Sequence, residues 1–170
     1  MNKFVTGLAA VALPCAAFAG AYGEMFRDGH LRFDYTPQEI ASLEQAASQE
    51  LEDSLAALTA VPAQQRTFEN TVLALEKAYT QYWFVPKNLS LLAYFHKDAS
   101  VREAAAVLET QGSKKKAEIF ARRDVYRSLK EYAQTNPKLA HEDARLLNKW
   151  LERYERAGMS LTDSKLKKYL

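Results

Sequence analysis

The sequence predicts an all-α fold, an antiparallel bundle of about five to six helices. Apolar residues recur at spacings of three and four over most of the chain, which is the period of a helix with one buried face. No strand-length run alternates cleanly between polar and apolar residues. Glycine and proline number only six and five among 170 residues, which argues against an all-β chain with many tight turns.

The length and composition indicate one globular domain. Apolar residues make up 48% of the chain and charged residues 26%, a composition that is neither disordered nor fibrous. The net charge of +2 gives no reason to expect nucleic acid as a partner. The single cysteine, Cys15, lies in the predicted leader, so the mature chain offers no disulfide, thiolate metal site or cysteine nucleophile.

Residues 1–19 have the layout of a cleavable secretory signal peptide. Lys3 supplies a positive start, an apolar stretch of ten residues follows, and Ala17-Phe18-Ala19 is a small-x-small cleavage site. The stretch is too short for a membrane span, which needs about 20 apolar residues. We therefore expect cleavage after Ala19 and a periplasmic or secreted protein; the alternative is an ordinary buried N-terminal helix.

Residues 20–35 read as an irregular linker before the first long helix. Thr36, Pro37 and Glu39 then form a helix start, with an N-cap, a first-turn proline and a capping box. The helix is expected to stop before Pro62. Its apolar stripe is Ile40, Leu43, Ala47, Leu51, Leu55 and Leu58.

A second helix is predicted over residues 69–85, ended by Pro86. A short apolar helix with Leu89, Leu92, Tyr94 and Phe95 follows it. The inward face of the second helix is Val72, Leu75, Ala78, Tyr79 and Tyr82.

The longest element is predicted over residues 101–134. Ser100 with Glu103 forms a second capping box, and Asn136-Pro137 closes the helix. Gly112 is expected to bend it, since glycine within a helix costs about 1 kcal/mol relative to alanine.

Another helix is predicted over residues 141–157, with Gly158 in the left-handed position after its end. Its inward residues are Leu147, Trp150, Leu151 and Tyr154. Thr162 can cap one more helix, but a helix of about nine residues is marginal on its own. The last helix is therefore expected to be incomplete, and the chain truncated within it.

Charge and aromatic residues each leave two interpretations open. Residues 20–100 carry a net charge of −5 and residues 101–170 a net charge of +6, which indicates either two solvated faces or a functional basic groove. The tyrosines and tryptophans at helical spacings indicate core packing or, alternatively, a patch that contacts peptides. They are Tyr79, Tyr82, Trp83, Trp150 and Tyr154.

Several phrases of the sequence occur in a characteristic order. They are TFENTVLALEKA at 67–78, SVREAA at 100–105, RDVY at 123–126, EDARLL at 142–147 and AGMSL at 157–161. In order and spacing they resemble the N-terminal region of the thimet oligopeptidase, neurolysin, oligopeptidase A and dipeptidyl carboxypeptidase family of zinc metallopeptidases. The resemblance covers residues 67–170.

The resemblance implies a large helical enzyme with two lobes around a narrow channel that admits only short peptides. Residues 36–170 would be the helical N-terminal domain that walls the channel, and the missing C-terminal catalytic domain would be its partner. That domain holds the family's zinc cofactor through an H-E-x-x-H helix and a further glutamate, with the motif's glutamate as general base.

This chain has no such motif, because no two of His30, His96 and His141 are four residues apart. Arg145 stands at the second ligand position after His141, and a guanidinium has no lone pair for a metal. His141 and Glu142 therefore read as surface residues of a first helical turn. No catalytic residue, metal ligand or cofactor is expected on this chain, and its substrate-binding residues are unknown.

Other chemistry has no better support in the sequence. Adjacent acidic pairs such as Glu52-Asp53 and Glu142-Asp143 point about 100° apart on a helix, a poor start for a general acid and base. The first hypothesis is therefore the N-terminal channel-wall portion of an exported zinc oligopeptidase, inactive alone. The second is a free-standing exported helical binding module without catalysis.

Overall fold

A computed structural model describes residues 20–161, which form a helical bundle and confirm the predicted all-α fold. The predicted leader and the predicted helix after Leu161 lie outside the described residues. The elements are α1 (Ala21–Glu24), β1 (Phe26–Arg27), β2 (His30–Leu31), α2 (Pro37–Ala60), a 3₁₀ turn (Ala63–Gln65), a π-helical turn (Phe68–Leu73), α3 (Ala74–Ser90), α4 (Leu92–Phe95), α5 (Ala99–Phe120), α6 (Arg123–Gln134) and α7 (His141–Arg156).

Helix α2 begins and ends where the sequence predicts. The Thr36 hydroxyl accepts from the Glu39 amide at 3.2 Å, and the Glu39 carboxylate accepts from the Thr36 amide at 2.8 Å. These two bonds are the predicted capping box. All six residues of the predicted apolar stripe are buried, and they pack mainly against α3 and α5.

The segment predicted to be an irregular linker is instead ordered and part of the core. It contains α1 and an antiparallel pair of two-residue strands, joined at Asp28-Gly29, where both residues have positive φ. Aspartate followed by glycine is a known two-residue hairpin signal. Met25 and Tyr35 are buried, so the segment packs on the bundle.

Pro86 does not end the second helix, contrary to the prediction. Helix α3 continues to Ser90 with Pro86 buried inside it. A proline inside a helix removes one backbone donor and normally breaks the helix. We attribute the continuation to packing, because Val85, Pro86 and Leu89 are all buried.

The predicted helix over residues 101–134 is two helices, α5 and α6, and the break lies at Ala121 and Arg122 rather than at Gly112. The extended backbone of Arg122 lets its guanidinium contact Asp124 at 2.7 and 2.9 Å. The same guanidinium reaches Glu52 on α2 at 2.8 Å. These ion pairs give a physical reason for the break.

Gly112 stays helical and has a different role from the predicted bend. It is buried, and a Cβ added there would lie 3.0 Å from Cζ3 of Trp83 on α3. Glycine therefore allows α5 to approach α3 closely. The predicted capping box at Ser100 is also wrong, since Asp98 is the N-cap and its carboxylate accepts from the Ser100 amide at 2.9 Å.

Helix α7 lies where the sequence predicts it, and Gly158 after it has the expected positive φ of 86°. Trp150 and Tyr154 are fully buried, whereas Leu151 is half-buried. One continuous hydrophobic core joins the elements from α1 to Met159. Over residues 20–161, the helices are too short or too polar to cross a membrane.

Candidate functional site

The three histidines do not form a common site. His30 and His96 line one open groove of about 630 Å³ between the hairpin and α4. His96 Nδ1 accepts a hydrogen bond from the Asp98 amide at 3.1 Å. Within residues 20–161, no three histidine, cysteine, aspartate or glutamate side chains are grouped so that they could hold a metal ion.

His141 and Glu142 lie on the surface in the first turn of α7, as predicted. Their side chains are 90% and 76% exposed, and the closest approach of His141 Nδ1 to Glu142 is 3.8 Å. Arg145 Nε lies 3.7 Å from the other oxygen of the same carboxylate. This surface cluster has no buried polar group that would prepare it for catalysis.

The adjacent acids Glu52 and Asp53 have separate partners. Glu52 accepts from Arg122 at 2.8 Å and from Lys115 at 3.3 Å, whereas Asp53 accepts from the side-chain Nε2 of Gln49 at 2.8 Å. A pair of carboxylates that share a proton would need to face each other. This pair instead stabilises contacts between neighbouring turns and helices.

The structure brings the predicted aromatic residues of α3 and α7 together, and Phe120 of α5 joins them. Tyr79 and Trp150 meet edge to face at a centroid distance of 5.2 Å, and Phe120 and Tyr154 do so at 5.4 Å. Such pairs stabilise packing beyond the area they bury. The predicted core role is confirmed for Tyr82, Trp150 and Tyr154, which are buried.

A polar contact fixes this aromatic cluster between α3 and α7. Trp150 Nε1 donates to Glu76 Oε2 at 2.9 Å, and the Thr80 hydroxyl donates to Glu76 Oε1 at 3.3 Å. Burial also raises the pKa of the Tyr154 hydroxyl, which therefore stays neutral. The cluster is thus a packed junction of α3, α5 and α7.

The outer side of this aromatic cluster opens into a groove, here called the α3 groove. One part, of about 500 Å³, runs along α3 and is closed by Arg153 of α7. A second part, of about 460 Å³, lies between the ends of α5 and α7, and Tyr79 and Arg153 line both parts. Trp83 and Leu91 line the first part, and Phe120 lines the second.

The α3 groove is basic. Among residues 20–161, its cations are Lys87, Lys116, Arg153 and Arg156, and its one carboxylate is Glu76. Arg153 Cζ lies 5.0 Å from the centroid of the Trp150 ring, a cation–π distance that orients the guanidinium. Cations beside aromatic faces suit the binding of anionic groups with apolar neighbours.

Three of these four cations come from the basic half of the sequence, where a basic groove was one of the two interpretations. Lys87 comes from the acidic half, so the charge bias alone does not identify it. Its position one helical turn after Trp83 on α3 is the sequence signal that places it on the same face.

Two comparisons with known proteins bear on the relationship of this chain to known families. No protein-family model matches this chain. A thimet-like oligopeptidase from Dictyostelium discoideum is 26% identical to it over 143 residues. The alignment covers 81% of this chain and 21% of that protein, so the chain spans about a fifth of the relative's length. This similarity supports a relation between the chain and the thimet oligopeptidase family.

Proposed function

We propose that this chain is the N-terminal helical portion of an exported zinc-dependent oligopeptidase that hydrolyses short peptides. The observation that carries the proposal is the similarity to the thimet-like oligopeptidase, which extends over 81% of the chain. The all-α fold agrees with it, because the resembled family is almost wholly helical. The catalytic domain of that enzyme would be the bundle's partner.

In this proposal the bundle forms part of the wall of the peptide channel and contributes no catalytic group. The α3 groove offers aromatic faces and cations that peptides can contact along their length. Its rigidity comes from the aromatic cluster and from the bond between Trp150 and Glu76. A rigid wall of this kind would orient peptides and exclude folded proteins.

The described residues do not fit the zinc site that the family implies. The three histidines do not meet, and Arg145 stands where H-E-x-x-H needs its second histidine. We therefore derive no catalytic step for this chain, and the metal chemistry is proposed to reside in the catalytic domain.

The proposal is tested by reading the DNA that follows the codon for Leu170. We expect a continuation, in frame or after a frameshift, that encodes H-E-x-x-H. The product extended through that motif should hydrolyse a short quenched fluorescent peptide, and a chelator should abolish the activity. A native stop with no such motif nearby would contradict the proposal.

Export is tested separately, by N-terminal sequencing of the protein recovered from the periplasm or the medium. The proposed signal peptide predicts a chain that begins at Gly20. A protein that stays in the cytoplasm with residues 1–19 attached would contradict export.

A second candidate function is a free-standing exported binding module without catalysis. The observation that favours it is that one continuous core joins the described elements and leaves a basic groove on the surface. This alternative predicts a monomeric chain that unfolds cooperatively. Binding of a hydrophobic dye and aggregation would instead indicate a domain that lacks its packing partner.

A further inference from the structure

The length of the α3 groove fits an extended peptide. Its lining residues recur once per turn along α3 from Glu76 through Tyr79 and Trp83 to Lys87, and Leu91 follows just after the end of the helix. Fifteen helical steps span about 22 Å. Since an extended chain rises about 3.3 Å per residue, this part of the groove accommodates about six or seven residues.

The cations of the groove are available to a ligand. Within residues 20–161, no ion pair involves Lys87, Lys116 or Arg153. Arg156 has only a 3.7 Å contact with Glu152, and both side chains are largely exposed. The groove therefore has several positive charges that no carboxylate of the described chain neutralises.

The one acidic residue of the groove is already engaged. Both carboxylate oxygens of Glu76 accept hydrogen bonds, one from Trp150 and one from Thr80. Within the described part of the chain, four cations against this single carboxylate give the groove a net positive charge. A ligand that complements the groove is therefore negatively charged and has apolar side chains for Tyr79 and Trp83.

The C-terminal residues of this chain do not have that chemistry. Residues 162–170 contain three lysines, Lys165, Lys167 and Lys168, and a single acidic residue, Asp163. Their side chains carry a net charge of +2, so the basic groove would repel them. Charge therefore disfavours residues 162–170 as the occupant of the groove.

We propose that the α3 groove binds acidic oligopeptides in an extended conformation, with a peptide carboxylate at Arg153 and apolar side chains on Tyr79 and Trp83. The choice of a free oligopeptide as the occupant rests on the proposed function. The inference adds a substrate class to it: acidic peptides with interspersed apolar residues would be retained along the wall.

The test uses residues 1–170 and a labelled hexapeptide of four glutamates and two phenylalanines. Fluorescence anisotropy should show saturable binding that weakens as salt is raised, because the charges are exposed. A hexapeptide with glutamine in place of glutamate should bind at least tenfold more weakly. Equal binding of the two peptides would overturn the inference.

Variants then locate the binding site. Arg153→Gln should weaken binding of the acidic peptide about tenfold, since charge-assisted hydrogen bonds are the strong ones. Arg153→Lys should retain part of the affinity. Lys138→Gln is the matched control, because Lys138 is exposed and lies outside the groove, and it should bind like wild type. Equal effects of Arg153→Gln and Lys138→Gln would overturn the inference.

Two further outcomes are distinguished by separate measurements. Concentration-dependent dimerisation that Arg153→Gln abolishes would assign the groove to the acidic surface of a second copy and overturn the peptide proposal. Peptide binding does not require hydrolysis, so the binding result does not depend on whether the DNA after the codon for Leu170 encodes H-E-x-x-H. Binding without that motif would contradict the proposed function alone, and the motif without binding would overturn only this inference.

Discussion

Trp150 and Glu76 form a hydrogen bond that joins α7 to α3, 74 residues apart in the chain. The indole is fully buried, and its N–H donates to the carboxylate at 2.9 Å. A buried donor that loses its acceptor has given up its hydrogen bonds to water without gaining one in the protein, which lowers the free energy of unfolding. This bond therefore ties the aromatic cluster to the helix that lines the α3 groove.

Replacing the acceptor should destabilise the fold. Glu76→Ala should lower the free energy of unfolding by about 1–3 kcal/mol, because it leaves the Trp150 N–H unpaired. Glu76→Gln should cost less, since its amide oxygen can still accept. Urea unfolding followed by circular dichroism measures both, with the exposed neighbour variant Lys77→Ala as control. A Glu76→Ala protein as stable as Lys77→Ala would contradict the role assigned to this bond.

The close approach of α5 to α3 at Gly112 should limit side-chain size there. Helix propensity alone would raise the free energy of unfolding of Gly112→Ala by about 1 kcal/mol. We expect a smaller gain, because the added Cβ would contact Trp83. Gly112→Leu should destabilise the protein by about 1–3 kcal/mol, as overpacked sites do. Near-ultraviolet circular dichroism should also report a displaced Trp83.

The neighbouring position provides the control for this prediction. Ser113→Leu places the same side chain on the exposed side of α5, and we expect a change within about 0.5 kcal/mol. If Gly112→Leu and Ser113→Leu had the same stability, Gly112 would have no packing role.

The ion pair between Arg122 and Asp124 should make stability depend on pH. The hydrogen bond from the Arg122 guanidinium lowers the pKa of Asp124 below its ordinary value. Because the folded-state pKa is lowered, the pair stabilises the fold above about pH 4, where unfolded aspartate is ionised. That contribution is lost as the pH falls through the lower, folded-state pKa.

Asp124→Asn tests this dependence. Asp124 is 46% exposed, so solvent screening limits the expected loss at pH 7 to less than about 1 kcal/mol. The difference from wild type should shrink as the pH falls from 4 to 3. Urea unfolding over this range measures it, with exposed Glu103→Gln as control. A difference that stays constant down to pH 3 would contradict the assigned ion pair.

Local signals were sufficient for much of the fold. Helix α2 could be predicted in full, because its capping box and its apolar stripe lie within the helix itself. The end of α7 could also be predicted locally, because Gly158, just after the helix, adopts a positive φ that glycine favours. The hairpin at Asp28-Gly29 also has a local signal, but the short strands around it do not show an alternating pattern.

Three of the wrong predictions involve contacts distant in sequence. Arg122 interrupts the helix where its guanidinium meets Glu52, which precedes it by 70 residues. Pro86 stays within α3 because its ring is buried in the core, and Gly112 serves contact with another helix. The α3 groove is similar, since three helices supply its cations and no single stretch of sequence contains them.

The most direct measurement of the central claim is zinc content and peptide hydrolysis of the purified chain without any added domain. The proposed function predicts no stoichiometric zinc and no hydrolysis of short peptides, because the catalytic groups belong to another part of the enzyme. One zinc ion bound per chain, together with hydrolysis that a chelator abolishes, would contradict it.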